Sequence, residues 1–240
     1  MITAAAFVPS TPLLVPEAAS GAAYELGDVR AAAQQALADA LATSPQRVVV
    51  LGASSRMIGT PAPHGITTHA AGTGSLRGFG VALDVPFDPA TPSAQPLSLA
   101  STIGAWLLAR AGWPGERLAV ELDPSSDDAA LDACGASLAD GVPTVLLVVA
   151  DGSASRTEKA PASLHPEAEA FDASVAKALG SGDPGALAAL DRDLASAVTS
   201  AGRPAWRTAA AALQGTAYAA ELLADEAPYG VGYLVARWTR

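Results

Sequence analysis

The sequence predicts one α/β domain over residues 1–240, with a central, mostly buried sheet and helices on both faces. Three observations predict it. The apolar runs Val48–Leu51 and Val145–Val149 are too short for helices and are uniformly apolar, as strands covered on both faces are. Strand-like and helix-like segments alternate along the chain, the pattern of βα units. No linker or internal repeat divides it, and 240 residues is an ordinary length for one such domain.

Residues 2–9 read as a buried strand, followed by a loop at 10–16, where Pro12 and Pro16 forbid a regular ladder. Residues 27–43 read as a helix, because Val29, Ala33, Leu37 and Leu41 recur every four positions and form one apolar stripe. Arg47–Leu51 is a second strand, left by a loop at 52–56. The Gly-, Pro- and Thr-rich stretch 57–96 is expected to hold short strands at 66–69 and 79–85 around a turn at 72–75. A helix follows at 97–111, closed by Gly112 and Pro114. Next come a strand at 118–122, a helix at 127–139 with acids in its first turn, and the clearest buried strand, 144–150. The last third is expected to be helical at 166–179, from Asp183-Pro184, and from Arg203-Pro204 to about residue 224. A strand at 229–238 closes the chain.

A chain of this length buries roughly 70–75% of its unfolded surface, so its core needs no disulfide or structural metal. Its single cysteine, Cys134, excludes an internal disulfide and fits a reducing compartment. The net charge of −10 and the absence of a basic stripe exclude a nucleic-acid binder and disfavour anionic membranes. The apolar start, residues 1–9, has no basic leader, and no apolar run reaches membrane-spanning length. These features predict a cytoplasmic protein, and they are compatible with a homo-oligomer.

In open α/β sheets, ligands sit beyond the carboxyl ends of the strands. Three expected strands end in polar loops: one at Ser10, one at Ser54, Ser55 and Arg56, and one at 151–159. The third breaks abruptly from an apolar strand into acids, cations and hydroxyls. Its Asp151, Arg156 and Glu158 are candidates for acid–base work, and Ser153, Ser155 and Lys159 for ligand contacts. Arg156 is the expected anion anchor, because a guanidinium grips a carboxylate or phosphate bidentately. His64 and His69 are five apart, so within one strand they would face opposite ways. His165 reads as a helix-start residue and Cys134 as a small core residue. Neither a dinucleotide fingerprint nor a phosphate loop nor a G-x-S-x-G elbow occurs.

Several segments together resemble the B-type branch of the class III extradiol ring-cleavage dioxygenases, a superfamily that includes the Memo-like proteins. They are Ala4-Ala-Ala-Phe-Val-Pro-Ser-Thr-Pro-Leu-Leu-Val-Pro-Glu17, Gly74-Ser-Leu-Arg-Gly-Phe-Gly80, Pro96-Leu-Ser-Leu99 with Gly104-Ala-Trp-Leu-Leu108, Ala150-Asp-Gly-Ser-Ala-Ser-Arg-Thr-Glu-Lys-Ala-Pro161 and Pro228-Tyr-Gly-Val-Gly-Tyr233. The resemblance implies a pocket at the strand ends where active members hold Fe(II) with two His and one Glu and cleave a catechol-type ring with O2. This chain departs from that pattern where it matters most. Ser10 stands at the first ligand position, Ser54-Ser55-Arg56 lies where a second His belongs, and Ser155-Arg156 lies at the acid–base His. Glu221 and Glu226 are the candidates for the late glutamate. The expectation is therefore a degenerate member with no cofactor that keeps a pocket at the strand ends for an acidic or aromatic small-molecule ligand or for a protein partner. The alternatives are an Fe(II) oxidoreductase that recruits His64 or His69, and a metal-free acid–base enzyme.

Overall fold

A computed structural model describes residues 1–19, 25–54 and 65–240. Ser55, Arg56 and His64 lie outside the described residues. The elements are β1 (Ile2–Val8), α1 (Pro16–Ala19), α2 (Gly27–Leu41), β2 (Arg47–Ala53), β3 (Ile66–His69), β4 (Thr73–Ser75), β5 (Asp84–Pro86), α3 (Leu99–Arg110), β6 (Glu116–Leu122), α4 (Asp128–Leu138), β7 (Thr144–Val149), α5 (Ala168–Ser181), α6 (Pro184–Ala188), α7 (Arg192–Ala197), α8 (Arg203–Leu213), β8 (Ala219–Glu226) and β9 (Tyr233–Thr239).

Seven strands form one sheet in the order β3-β6-β2-β7-β1-β9-β8. The four central strands, β6, β2, β7 and β1, are parallel to one another. The outer pairings β3–β6, β1–β9 and β8–β9 are antiparallel. Because side chains alternate along a strand, each central strand feeds two cores. Phe7, Val49, Leu51, Leu146 and Val148 pack on one face with α4, α5 and α8. Val8, Val48, Val50, Val145 and Leu147 pack on the other with α2, α3 and the β4–β5 hairpin. Every residue of β1 and β7 is buried, and each valine or leucine so placed stabilises the fold by about 1.5–3 kcal/mol. Among the described residues no helix is long and apolar enough to cross a membrane.

Three expectations are corrected. The helix expected from Arg203 to residue 224 ends at Leu213. Gly215 takes a left-handed φ of 74°, and the chain returns as β8, hydrogen-bonded to β9. The alanine-rich stretch has helical propensity, but Tyr218, Ala220 and Leu222 gain a shared apolar face only by alternating in a strand. The closing strand starts at Tyr233, because residues 229–232 form a turn with Gly230 at φ 73°. In the glycine-rich stretch the expected turn at 72–75 contains β4, which pairs with β5, and residues 77–79 are a 3-10 turn. The Arg77–Asp84 ion pair (2.7 Å) and buried Leu76 hold that hairpin together.

Candidate functional site

β1 and β7 are parallel neighbours, so the loops leaving them meet at one sheet edge. The Ala150 N–H still donates to the Val8 carbonyl (2.8 Å), and just beyond it the Ser10 N–H donates to Asp151 Oδ1 at 2.7 Å. β9 runs antiparallel to β1, and therefore its first residue, Tyr233, arrives at the same edge, with its phenol 3.4 Å from Thr11 Oγ1. From the opposite face, the Ser200 hydroxyl donates to the Asp151 carbonyl (3.3 Å).

Asp151 is half-buried as a residue, and protein surrounds its carboxyl. Burial pushes its pKa up to about 7; the Ser10 N–H pulls it down, and the charge of Asp172 pushes it up again. Burial also raises the Tyr233 phenol, with Thr11 opposing and Asp151 adding to the rise. The site thus pairs a carboxyl that changes charge near neutrality with a phenol that stays protonated there.

The loop after β7 divides the remaining candidates. Ser153 and Ser155 are wholly buried and committed inward. The Ser153 hydroxyl donates to Asp172 Oδ2 (2.7 Å), and the Ser155 hydroxyl donates to the Val198 carbonyl (3.0 Å). Arg156 is 21% exposed, with Nη1 3.7 Å from Asp172 and Nη2 3.6 Å from Glu169. Glu158 and Lys159 are exposed. Ser54 is half-buried, and its N–H donates to the Leu122 carbonyl (2.8 Å).

The donor set of the described residues does not fit a facial Fe(II) site. Among the described residues no three His, Cys, Asp or Glu side chains come together as metal ligands. Ser10, at the position where the resemblance expects an imidazole, offers a hydroxyl instead. Glu221 is held by Arg237 (2.6 Å) on the outermost strand, and Glu226 is exposed at that strand's end. His69 shares a face of β3–β6 with Glu121: its Nε2 is 3.6 Å from a buried carboxylate whose other oxygen accepts the Ser98 N–H (2.7 Å). His165 Nδ1 accepts the Glu167 N–H (3.2 Å) at the start of α5, in keeping with a helix-start role.

Sequence reading placed Ser10 and Thr11 in the polar loop after the first strand but missed Asp172, Tyr233 and Ser200 as site residues. Asp172 had a legible signal: it is an acid on the core stripe of α5, between Phe171 and Val175. Beside the site, a cavity of about 490 Å³ lies between the loop after β6 and the α7–α8 connection. Arg192 and Arg203 line it, and both are bonded to Asp128.

No protein-family model matches the chain, and no curated protein matches it. Among solved structures, the uncharacterized protein JW3007 from Escherichia coli K12 is similar over 98% of this chain and 99% of that one, with 15% sequence identity and a TM-score of 0.46.

Proposed function

We propose that the chain is a class III extradiol dioxygenase-like protein, akin to the Memo-like branch, that works without iron. Its strand-end cleft takes a small acidic or aromatic molecule, and Asp151 exchanges a proton with it. The observation that carries this reading is the placement of the Asp151 carboxyl at the strand ends, held there by one N–H at 2.7 Å; burial in that position pushes its pKa up to about 7. A carboxyl titrating there takes or gives a proton at neutral pH with little driving force wasted, which an ordinary aspartate cannot do. Arg156 supplies the anion anchor at the rim. Its distances of 3.6 and 3.7 Å to carboxylates are longer than hydrogen bonds, so a ligand carboxylate competes for the guanidinium on favourable terms.

The test is a calorimetric screen of small aromatic acids between pH 5 and pH 9. Binding is expected to change with pH around 7 and to lose that dependence in Asp151→Asn. Arg156→Ala is expected to lose about 1.5–3 kcal/mol of affinity for an acidic ligand. Anaerobic Fe(II) reconstitution is expected to give no stoichiometric iron and no oxygen uptake with catechols. One equivalent of tight iron that disappears in His64→Ala or His69→Ala would instead establish the oxidoreductase alternative.

A further inference from the structure

Two glycines flank the reactive groups of the site: Gly152 follows Asp151, and Gly232 precedes Tyr233. Their backbones are joined, with the Gly152 N–H donating to the Gly232 carbonyl (2.8 Å) and the Gly232 N–H donating to the Ser153 carbonyl (2.9 Å). Further out along the same two segments, the Arg156 N–H donates to the Gly230 carbonyl (3.1 Å). The loop after β7 and the turn before β9 are thus clasped together.

The carboxylate of Asp172, only 1% exposed, is inserted into that clasp from α5. It accepts the Ser153 N–H at 2.6 Å and the Ser153 hydroxyl at 2.7 Å. A Cβ on Gly152 would stand 2.5 Å from Asp172 Oδ1, and one on Gly232 would stand 2.4 Å from Oδ2. Any side chain at either position would therefore expel the carboxylate. Burying a carboxylate is costly, and an apolar residue on the α5 stripe would fill the same space without that cost.

We infer that Asp172 is the positioning residue of this site, closing the clasp that sets where the Asp151 carboxyl and the Tyr233 phenol stand and placing a negative charge beside Asp151. The inference rests on the reading of Asp151 as the proton-exchanging group, and it assigns a cause to that group's behaviour. The groups facing Asp172 are Ser153 and Arg156 from the loop, Asp225 from β8 and Asp151 itself. Burial raises the Asp172 pKa, with the Ser153 bonds and Arg156 opposing and Asp225 adding to the rise. The charge of Asp172 in turn holds Asp151 up. The chain thus sets the moment of proton exchange at Asp151 from a residue that need not touch the ligand.

The experiment is carboxyl-carbon NMR titration of Asp151 in the full chain, with no ligand added. In Asp172→Asn, whose amide keeps the shape and loses the charge, the Asp151 midpoint is expected to fall by about half a pH unit or more. Ser153→Ala delays the ionisation of Asp172, so the Asp151 midpoint is expected to fall by less; this variant decides the matter if Asp172→Asn does not fold. An Asp151 midpoint unmoved in the folded variants would overturn the inference. So would an equal shift in Glu169→Gln, whose carboxylate is 82% exposed, because general charge would then be the cause. A wild-type midpoint near 4 would sink the acid–base reading alone, since the direction of the Asp172 effect is read from the variants whatever the starting value.

Discussion

The chain treats two aspartates in opposite ways. Asp128, at the start of α4, sits among three arginines: Arg192 at 2.6 Å, Arg203 at 2.9 Å and Arg207 at 2.8 Å. They hold its carboxyl far below the usual range, Arg203 through the strongest bond, and the cluster ties α4, α7 and α8 together. Among the described residues no cation is bonded to Asp151; its carboxyl has one N–H, a second carboxylate nearby and protein packed around it. A charge compensated on every side is committed to the fold, whereas a charge left to desolvation remains able to change.

The comparison breaks or sharpens first on pH. The folded pKa of Asp151 lies above its ordinary 3.8, so the folded state keeps a proton that the unfolded state releases. That contribution is fully present below about pH 4 and is lost as pH rises toward 7, by on the order of 3 kcal/mol. Asp128 has the reverse sign: its contribution is present above its ordinary 3.8 and is lost as pH falls below that. Denaturant midpoints are therefore expected to peak in the mildly acidic range. In Asp151→Asn the decline toward pH 7 should flatten, leaving the variant more stable than wild type at pH 8. A wild-type profile that rises from pH 4 to pH 7 would dissolve the contrast.

Asp128→Asn is expected to be destabilising by about 2 kcal/mol. That lies below the range for breaking a fully buried pair, because Asp128 is 37% exposed and solvent screens it. Urea unfolding at pH 7 checks it, and stabilisation would show the cluster to be a strained site and not a clamp. The smallest effect separates the arginines. Arg203, 7% exposed, also bonds the Leu190 carbonyl, while Arg192 is 39% exposed. Arg192→Ala is expected to cost about 1 kcal/mol or less in the same unfolding experiment, and Arg203→Ala clearly more.

The central sheet was legible because its information is local. A run such as Thr144–Val149 has no other way to bury six consecutive side chains. The stretch from Arg203 onward was misread because its outcome is not local: whether Ala219–Glu226 is strand or helix depends on Tyr233–Thr239 lying beside it. The site divides the same way. Ser10 and Asp151 could be brought together on paper, since parallel neighbours must end at one edge. The inward commitment of Ser153 and Ser155 could not, because their partners, Asp172 and Val198, come from elements whose docking no single segment specifies.

The position of β1 has a kinetic consequence. Phe7 lies opposite Val148 on one side and Ala236 on the other, so the sheet's first strand in chain order is flanked by two that are made much later. While the chain emerges, the largely apolar segment Ile2–Val8 has both hydrogen-bonding edges open and neither core to enter. Long-range parallel pairing of this kind is slow, and unpaired apolar edges invite association between nascent chains. The same strand that organises the finished sheet is thus the segment most in need of protection before the β9 residues arrive.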